Sequence, residues 1–319
     1  MIKYITNRLI YVIPVLIGVT IFVFLIIHLI PGDPARTVLG DVSTPQQLKQ
    51  LRHQMGLDQP LILQYFEWVQ KILSGNLGYS YTLHMNIANE LLPKFWNSIL
   101  LTIASLIIAV IAGVGLGFLS AIKKGSLFDQ LFMGISALGA SVPVFWIALM
   151  LMWIFALKFS IFPINGMINM RGNGGALDIL YHLVLPAVAT SSVSIAVIAQ
   201  LTRNAVLDEL KKDYVSYYRS FNISNFRIYI VHVFRNALPP IINIIGLQVG
   251  YLIGGALFSE IVFNWPGIGQ AMYVAISSKD YPTIQAGILL ISCGFVIVNL
   301  IVDIINILIN PKLHEAVSG

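Results

Sequence analysis

Apolar runs too long for a soluble core constrain this chain more than any other feature. Residues 9–30, 99–122 and 284–309 carry few or no charges, and each run exceeds the ~20 residues an α-helix needs to cross a bilayer. The same criterion predicts about six spans, over 9–30, 98–122, 130–157, 181–202, 241–262 and 284–309. In hydrocarbon every backbone N–H and C=O must be paired within the protein, so only helices or closed barrels cross. A barrel would show short alternating segments instead. The expected fold class is therefore an all-α membrane protein. Only 10% of the residues are charged, against about 25% in a soluble domain, which excludes an ordinary soluble enzyme.

Lys and Arg set the predicted orientation. Lys3, Arg8, Lys123, Lys124, Arg203, Lys211, Lys212, Arg219, Arg227, Arg235 and Lys312 fall on one side of these spans. The opposite short loops hold Lys158, Arg171 and Lys279. The positive-inside rule then places both termini in the cytoplasm, and the long segment after the first span crosses largely regardless of its own charges. The net charge of +5 is thus a feature of membrane loops and predicts no nucleic-acid partner. The first run is longer than a signal-peptide core and closes on His28-Leu29-Ile30-Pro31 without a small-residue cleavage site, so it reads as an uncleaved span. Cys293, the single cysteine, forms no intramolecular disulfide and reads as a packed apolar side chain.

The chain reads as a single transmembrane domain, 1–319, with an external helical segment at 31–97 and a water-facing loop at 203–240. Within the external segment, Thr44-Pro45-Gln46-Gln47 spells a capping box with proline at the first helical position. Leu48, Leu51 and Met55 follow on one face, and Gly56 ends the helix. A second amphipathic helix is predicted after Pro60, with Leu61, Tyr65, Trp68 and Ile72 on one stripe and Gly75 at its end. This segment is either a cap that a partner touches or a folded decoration.

Catalysis by this chain alone is not expected. HExxH, GxSxG and the phosphate-binding GxxxxGK[ST] are all missing, and no two of the six histidines stand at i, i+4. Gly246, Gly250 and Gly254 recur every fourth residue in the fifth predicted span, and Gly113 with Gly117 makes a weaker pair. Such stripes serve either close helix packing or passage of substrate beside the backbone. His28, Glu260 and Asp303 are the ionisable groups read near the spans, and they do not form the mid-membrane relay of an ion-coupled transporter.

The loop at 203–240 carries a specific resemblance. Asp213-Tyr214-Val215, Arg219, His232, Arg235-Asn236-Ala237 and Pro239 or Pro240 are similar, in register, to the cytoplasmic ATPase-docking loop of binding-protein-dependent ABC importer permeases of the peptide/nickel subgroup. Further motifs follow in family order. Pro31-Gly32-Asp33-Pro34, Gly56-Leu57-Asp58-Gln59-Pro60, Gln64-Tyr65 and Gly75-Asn76-Leu77-Gly78-Tyr79-Ser80 resemble the external segment. Residues 260–269 (EIVFNWPGIG) and Asp280-Tyr281-Pro282 resemble the last external loop, and Asn299 to Asp303 with Asn310-Pro311-Lys312 resemble the end. The chain departs from the family pattern at Tyr218, Phe221 and Asn222, where alanine, lysine and glycine are usual. Asparagine is the residue after glycine that best tolerates a left-handed turn, so Asn222 is expected to keep the turn and Ser224 to cap the next helix.

The resemblance implies a type I ABC importer permease fold and an inner-membrane subunit of an ATP-driven importer in a bacterial or archaeal cytoplasmic membrane. It implies a second homologous permease, two cytoplasmic ATPase subunits that hold ATP and Mg, and an extracellular or periplasmic substrate-binding protein. No cofactor or metal is expected in this chain. Asp213, Tyr214, Arg219, Asn222, Arg235 and Asn236 are the expected coupling residues. Gly246, Gly250, Gly254 and Glu260 are expected to line the pathway. Di- or oligopeptides are the expected substrate, with nickel or a nickel chelate as the alternative within the family and an ion-coupled secondary transporter as the alternative outside it.

Overall fold

The structure, a computed structural model, describes residues 2–29, 34–39, 44–169 and 174–309. Among these residues the helices run in chain order as α1 (Ile2–Leu29), α2 (Pro34–Leu39), α3 (Pro45–Gln54), α4 (Leu61–Leu73), α5 (Ile87–Ile122), α6 (Leu127–Ser141), α7 (Val144–Leu151), α8 (Ala176–Leu210), α9 (Asp213–Ser220), α10 (Asn225–Arg227), α11 (Arg235–Val262), α12 (Ile268–Ser277) and α13 (Tyr281–Ile309). π-Helical turns follow α7 at Met152–Lys158 and precede α11 at Ile228–Phe234. Between α4 and α5 a small hairpin pairs β1 (Tyr79–Ser80) with β2 (Met85–Asn86) in antiparallel register. That hairpin is an addition to the expected all-helical external segment. Too short to show a period-2 pattern, it is defined by its turn, where His84 takes φ +54°.

Among the described residues, four helices are long and apolar enough to cross a membrane: α5, α8, the continuous helix 225–262, and Tyr281–Val302 of α13. In α1 the apolar stretch is Ile10–Ile26. At 36 residues α5 measures about 54 Å, longer than the ~30 Å hydrocarbon core, so it projects beyond the membrane. Large side chains such as Ile103, Ile107 and Ile111 stay exposed at helical spacing along it, as a lipid-facing stripe requires.

The span predicted at 130–157 is not one continuous helix. It is a broken pair, α6 and then Val144–Lys158, bent by 109°. The cause is local. Pro143 lacks an N–H and drives the preceding residue out of helical geometry, so Val142 sits at φ −84°, ψ 131° and Pro143 at φ −59°, ψ 137°.

The chain forms two compact units, interleaved in sequence: 1–97 with 266–297, and 98–265 with 298–319. In the first, the predicted capping box forms at α3, where Gln47 N–H donates to the Thr44 hydroxyl at 3.3 Å and Thr44 N–H donates to Gln47 Oε1 at 3.0 Å. Leu48, Leu51 and Met55 are half-buried on one face, and Gly56 closes the helix at φ +72°. The core of this unit joins Ile87, Leu91, Ala271 and Ala286 to a cluster of Ile268, Met272, Ala275, Tyr281 and Ile284. Beside it the Ser80 hydroxyl donates to the buried carboxylate of Asp280 at 2.5 Å, and Thr283 donates to the same oxygen at 2.7 Å. Two motifs 200 residues apart in sequence thus meet in one polar knot, which anchors the hairpin.

In the second unit α5, α8 and α11 share the core. One layer holds Leu101, Leu183, Ala187, Ala256 and Trp265, and another joins Ala148, Leu185, Ala189 and Phe263. The glycine pair of lesser weight in the sequence makes a close approach to the backbone of another helix. A Cβ at Gly117 would lie 2.3 Å from the Ala199 carbonyl oxygen, and one at Gly113 would lie 2.8 Å from Ile198 Cβ. The absence of both side chains lets α5 sit directly on the α8 backbone.

Candidate functional site

The water-facing loop grows directly out of a membrane helix. α8 continues as one helix to Leu210, past the predicted span end at 202, before Lys211 and Lys212 turn the chain into α9. Asp213 opens α9 in an exposed first turn, where a carboxylate favours the positive end of the helix dipole. Tyr214 is half-buried and donates to Glu209 Oε2 at 3.0 Å. Its oxygen also accepts from the side-chain amide of Asn236. Burial above all, reinforced by the bond to Glu209, holds the phenol above its usual range, so it remains a donor at neutral pH. Lys212 donates to the other oxygen of Glu209 at 2.5 Å, and that bond raises the lysine pKa. Two predicted coupling residues, Tyr214 and Asn236, are therefore joined, tying α9 to the first turn of α11.

The end of α9 forms as predicted. Asn222 adopts φ +56°, and the chain closes in a Schellman arrangement. Ile223 N–H donates to the Tyr218 carbonyl at 3.2 Å, and Asn222 N–H donates to that of Arg219 at 3.0 Å. Ser224 then caps the next turn, accepting from Arg227 N–H at 3.4 Å. Tyr218, bulkier than the family residue, packs its ring 4.3 Å from that of His232 and so braces the two arms of the turn. A β-branched residue in the left-handed region costs about 1–3 kcal/mol, whereas glycine adopts it freely. Asn222→Gly should therefore retain transport in reconstituted vesicles and Asn222→Val should lower it severalfold. Equal rates would contradict this role for the turn.

Val215, on the inner side of α9, is buried in one cluster with Ala121 of α5, Val206 of α8, and Ala237 and Ile241 of α11. A displacement of α9 therefore acts on three long helices at once. Its other side is open. Tyr217, Phe221 and Phe226 are 61%, 63% and 76% exposed, and the rings of Tyr217 and Phe221 stand 4.7 Å apart. Arg219 and Arg235 are also exposed on this loop. Large aromatic side chains held open on a rigid helix and turn, with cations on the same loop, suit docking to a protein surface.

The residues expected to line a pathway divide. Gly246 is buried, Gly250 half-buried and Gly254 exposed with no atom within 4 Å of a Cβ placed there. An exposed stripe, Asn243, Leu247, Tyr251, Gly254 and Phe258, runs along the same helix. Glu260, expected beside those glycines, is 1% exposed and accepts from the Ser98 hydroxyl at 2.5 Å, an internal carboxylate within this chain. Its placement depends on Ser98, 162 residues earlier in the chain, which no local pattern signals. His28 is exposed at the end of α1. The side chain of Asp303, the end of the first predicted span at Ile30, Arg171, and the motif residues 31–33 and 310–312 lie outside the described residues.

One group escaped the sequence reading altogether. Asp129, buried at the start of α6, receives a two-pronged bond from Arg203 of α8, Nε to Oδ1 at 2.7 Å and Nη2 to Oδ2 at 2.8 Å. The Ser120 hydroxyl of α5 donates to Oδ1, and Gly125 N–H donates to Oδ2 at 2.9 Å. A carboxylate three residues after the helix-capping Ser126 was the available signal, but it reads equally well as an ordinary first-turn acid. The clamp fastens α5, α6 and α8 together just before α8 leaves for the loop.

Comparison with known proteins agrees with this geometry. The family described as binding-protein-dependent transport system inner membrane component matches residues 113–315, and the N-terminal family of the same membrane component matches residues 1–102. The dipeptide transport system permease protein DppB of Alkalihalophilus pseudofirmus is 39% identical, the match covering 98% of this chain and 99% of that protein. The di/tripeptide transport system permease protein DppB of Pseudomonas aeruginosa is 38% identical over 99% of both chains. The glutathione transport system permease protein GsiC of Escherichia coli O6:H1 is 36% identical, the match covering 98% of this chain and 99% of that protein. Among solved structures, an inward-facing MetNI methionine ABC transporter chain superposes with a TM-score of 0.54 at 15% identity, covering 69% of this chain and 96% of that one. The shared fold is that of a type I ABC importer permease.

Proposed function

This chain belongs to the family of binding-protein-dependent transport system inner membrane components, and from that premise we propose that it forms half of the translocation pathway of an ATP-driven importer of di- and oligopeptides. It is an inner-membrane, multi-pass subunit that works with ATPase and substrate-binding partners. In the proposed assembly a second homologous permease supplies the other half of the pathway. Two cytoplasmic ATPases hold ATP and Mg, and the binding protein delivers substrate on the outer face. Both termini lie in the cytoplasm. The bent pair at 127–158 counts as one broken span and α1 as another, giving six. Relatives named for dipeptide, di/tripeptide and glutathione transport support peptides over nickel.

The observation that carries the coupling role is the two-sided character of α9: Val215 rooted among three long helices, with Tyr217 and Phe221 held open on the other side. On this reading ATP binding draws the two ATPases together. The motion enters at Tyr217, Arg219 and Phe221, and passes through Val215 and the Tyr214–Asn236 bond into α8 and α11. Gly246, Gly250 and Gly254, on the helix whose exposed face carries Asn243 and Tyr251, lie toward the partner permease and the pathway.

Affinity purification from the native membrane tests this. The chain should retain a second permease and P-loop ATPases. A Tyr217→Ser/Phe221→Ser/Phe226→Ser variant should keep the second permease but lose most of the ATPase, because exposed aromatic anchors carry a large share of such docking energy. Recovery of a lone chain or a homodimer under gentle solubilisation would contradict the proposal and favour ion-coupled transport.

A further inference from the structure

α4 carries more apolar surface than its contacts use. At 3.6 residues per turn, Leu61, Ile62, Tyr65, Phe66, Trp68, Val69, Ile72 and Leu73 form one continuous arc of roughly 160°. Gln64, Glu67, Gln70 and Lys71 occupy the other side, and Leu63 falls among them. Half of the arc is spent on α1. The Tyr65 and Trp68 rings stand 5.4 and 6.0 Å from Phe24, the Tyr65 hydroxyl pairs with Thr20 Oγ1 at 2.9 Å, and Gln64 meets His28 at 3.2 Å. The other half is open, with Ile62 71%, Phe66 62% and Leu73 82% exposed.

We propose that α4 is an interfacial membrane helix, with Ile62, Phe66, Val69 and Leu73 against lipid acyl chains and Glu67, Gln70 and Lys71 toward water. The level at which it crosses α1 supports lipid as the occupant. Phe24 lies five residues before Leu29, where α1 ends, which at 1.5 Å per residue is about 8 Å below that end. Amphipathic interfacial helices bury their apolar face about 5–10 Å into the same zone. Tyr65 and Trp68 are the residue types enriched at the membrane–water interface. The exposed residues flanking the contact on α1, Ile17, Ile21 and Leu25, are themselves apolar, so the open arc continues a surface that already faces lipid. A water-soluble partner would need this arc to stand clear of the membrane, which the anchorage at Phe24 prevents.

The inference rests on α1 spanning the membrane, and the experiment separates the two claims. In a Cys293→Ser background, single cysteines replace Phe66, Leu73, Glu67 and, on α1, Phe22, each in the complete complex and labelled with an environment-sensitive fluorophore. The complexes are placed in vesicles whose lipids carry a nitroxide near the headgroup, with iodide as the aqueous quencher. Labels at 66 and 73 should be quenched by the lipid nitroxide severalfold more than the label at 67, with iodide showing the reverse order. If the label at Phe22 is quenched by lipid while those at 66 and 73 respond to iodide, α4 stands in water and the proposal falls. If Phe22 responds to lipid but 66 and 73 respond to neither quencher, protein covers the arc and the proposal also falls. No lipid quenching at Phe22 removes the span on which both claims rest.

Discussion

Gly117→Leu is expected to abolish the folded protein, while Gly254→Ala leaves it intact. The positions look alike in sequence, each a glycine in a four-residue repeat within an apolar helix. At Gly117, however, a Cβ would lie 2.3 Å from the Ala199 carbonyl oxygen, 2.9 Å from its Cα and 2.9 Å from Thr202 Cβ. Two of those atoms are backbone and cannot rotate aside, so α5 and α8 must separate. Overpacking costs about 1–3 kcal/mol where side chains can rearrange, and separation of two core helices exceeds that range. At Gly254 the added methyl meets nothing within 4 Å, and alanine is the better helix former. Thermal unfolding of the purified chain in detergent, together with its yield in the membrane fraction, reads both outcomes. A Gly117→Leu protein with ordinary yield and melting temperature would contradict the packing described here.

The second large effect is expected at the Asp129–Arg203 clamp. With Asp129 side chain 4% and Arg203 side chain 19% exposed, removing either partner strands a charge with little water to solvate it. Breaking a buried pair in this way costs about 3–5 kcal/mol, and Asp129→Ala should fall in that range. Arg203→Ala should cost somewhat less, because Ser120 and Gly125 still donate to the carboxylate. The double variant should be markedly more stable than the sum of the two losses, since no charge is left unpaired. Chemical denaturation of the four proteins measures that coupling. Simple additivity would mean that the two residues do not act as a pair. The clamp sits where α8 leaves the helix core for α9, so its loss should also lower transport per folded molecule.

Much of this architecture is legible in the sequence where a strong local cost dictates it. The apolar runs reveal their helices because unpaired backbone and charge are expensive in lipid. Thr44 with Gln47, and Asn222 with Ser224, reveal helix ends because capping uses neighbours within a few residues. What remained hidden depends on residues far apart in the chain. Gly113 and Gly117 pack closely because Ile198 and Ala199 face them, whereas nothing lies within 4 Å of a Cβ at Gly254. Glu260 reads as an interface acid until Ser98 is brought to it, and Asp280 shows no function until Ser80 arrives. The break at Val142-Pro143 was written in the chain, but an unbroken apolar composition outweighed a single proline. Of the loop, the turn at Asn222 was readable, whereas the exposed aromatic side chains of Tyr217, Phe221 and Phe226 were not. The Tyr214–Asn236 bond and the Asp129–Arg203 clamp emerge only from the packing of separate helices.

The central claim is ATP-driven peptide import, and uptake by the reconstituted complex tests it most directly. Vesicles holding this chain, its partner permease and the ATPases, supplied with the binding protein outside, would be offered a labelled dipeptide with and without internal ATP. The account predicts accumulation that requires ATP hydrolysis and survives an ionophore that collapses every ion gradient. Accumulation without ATP that vanishes with the ion gradient would contradict it.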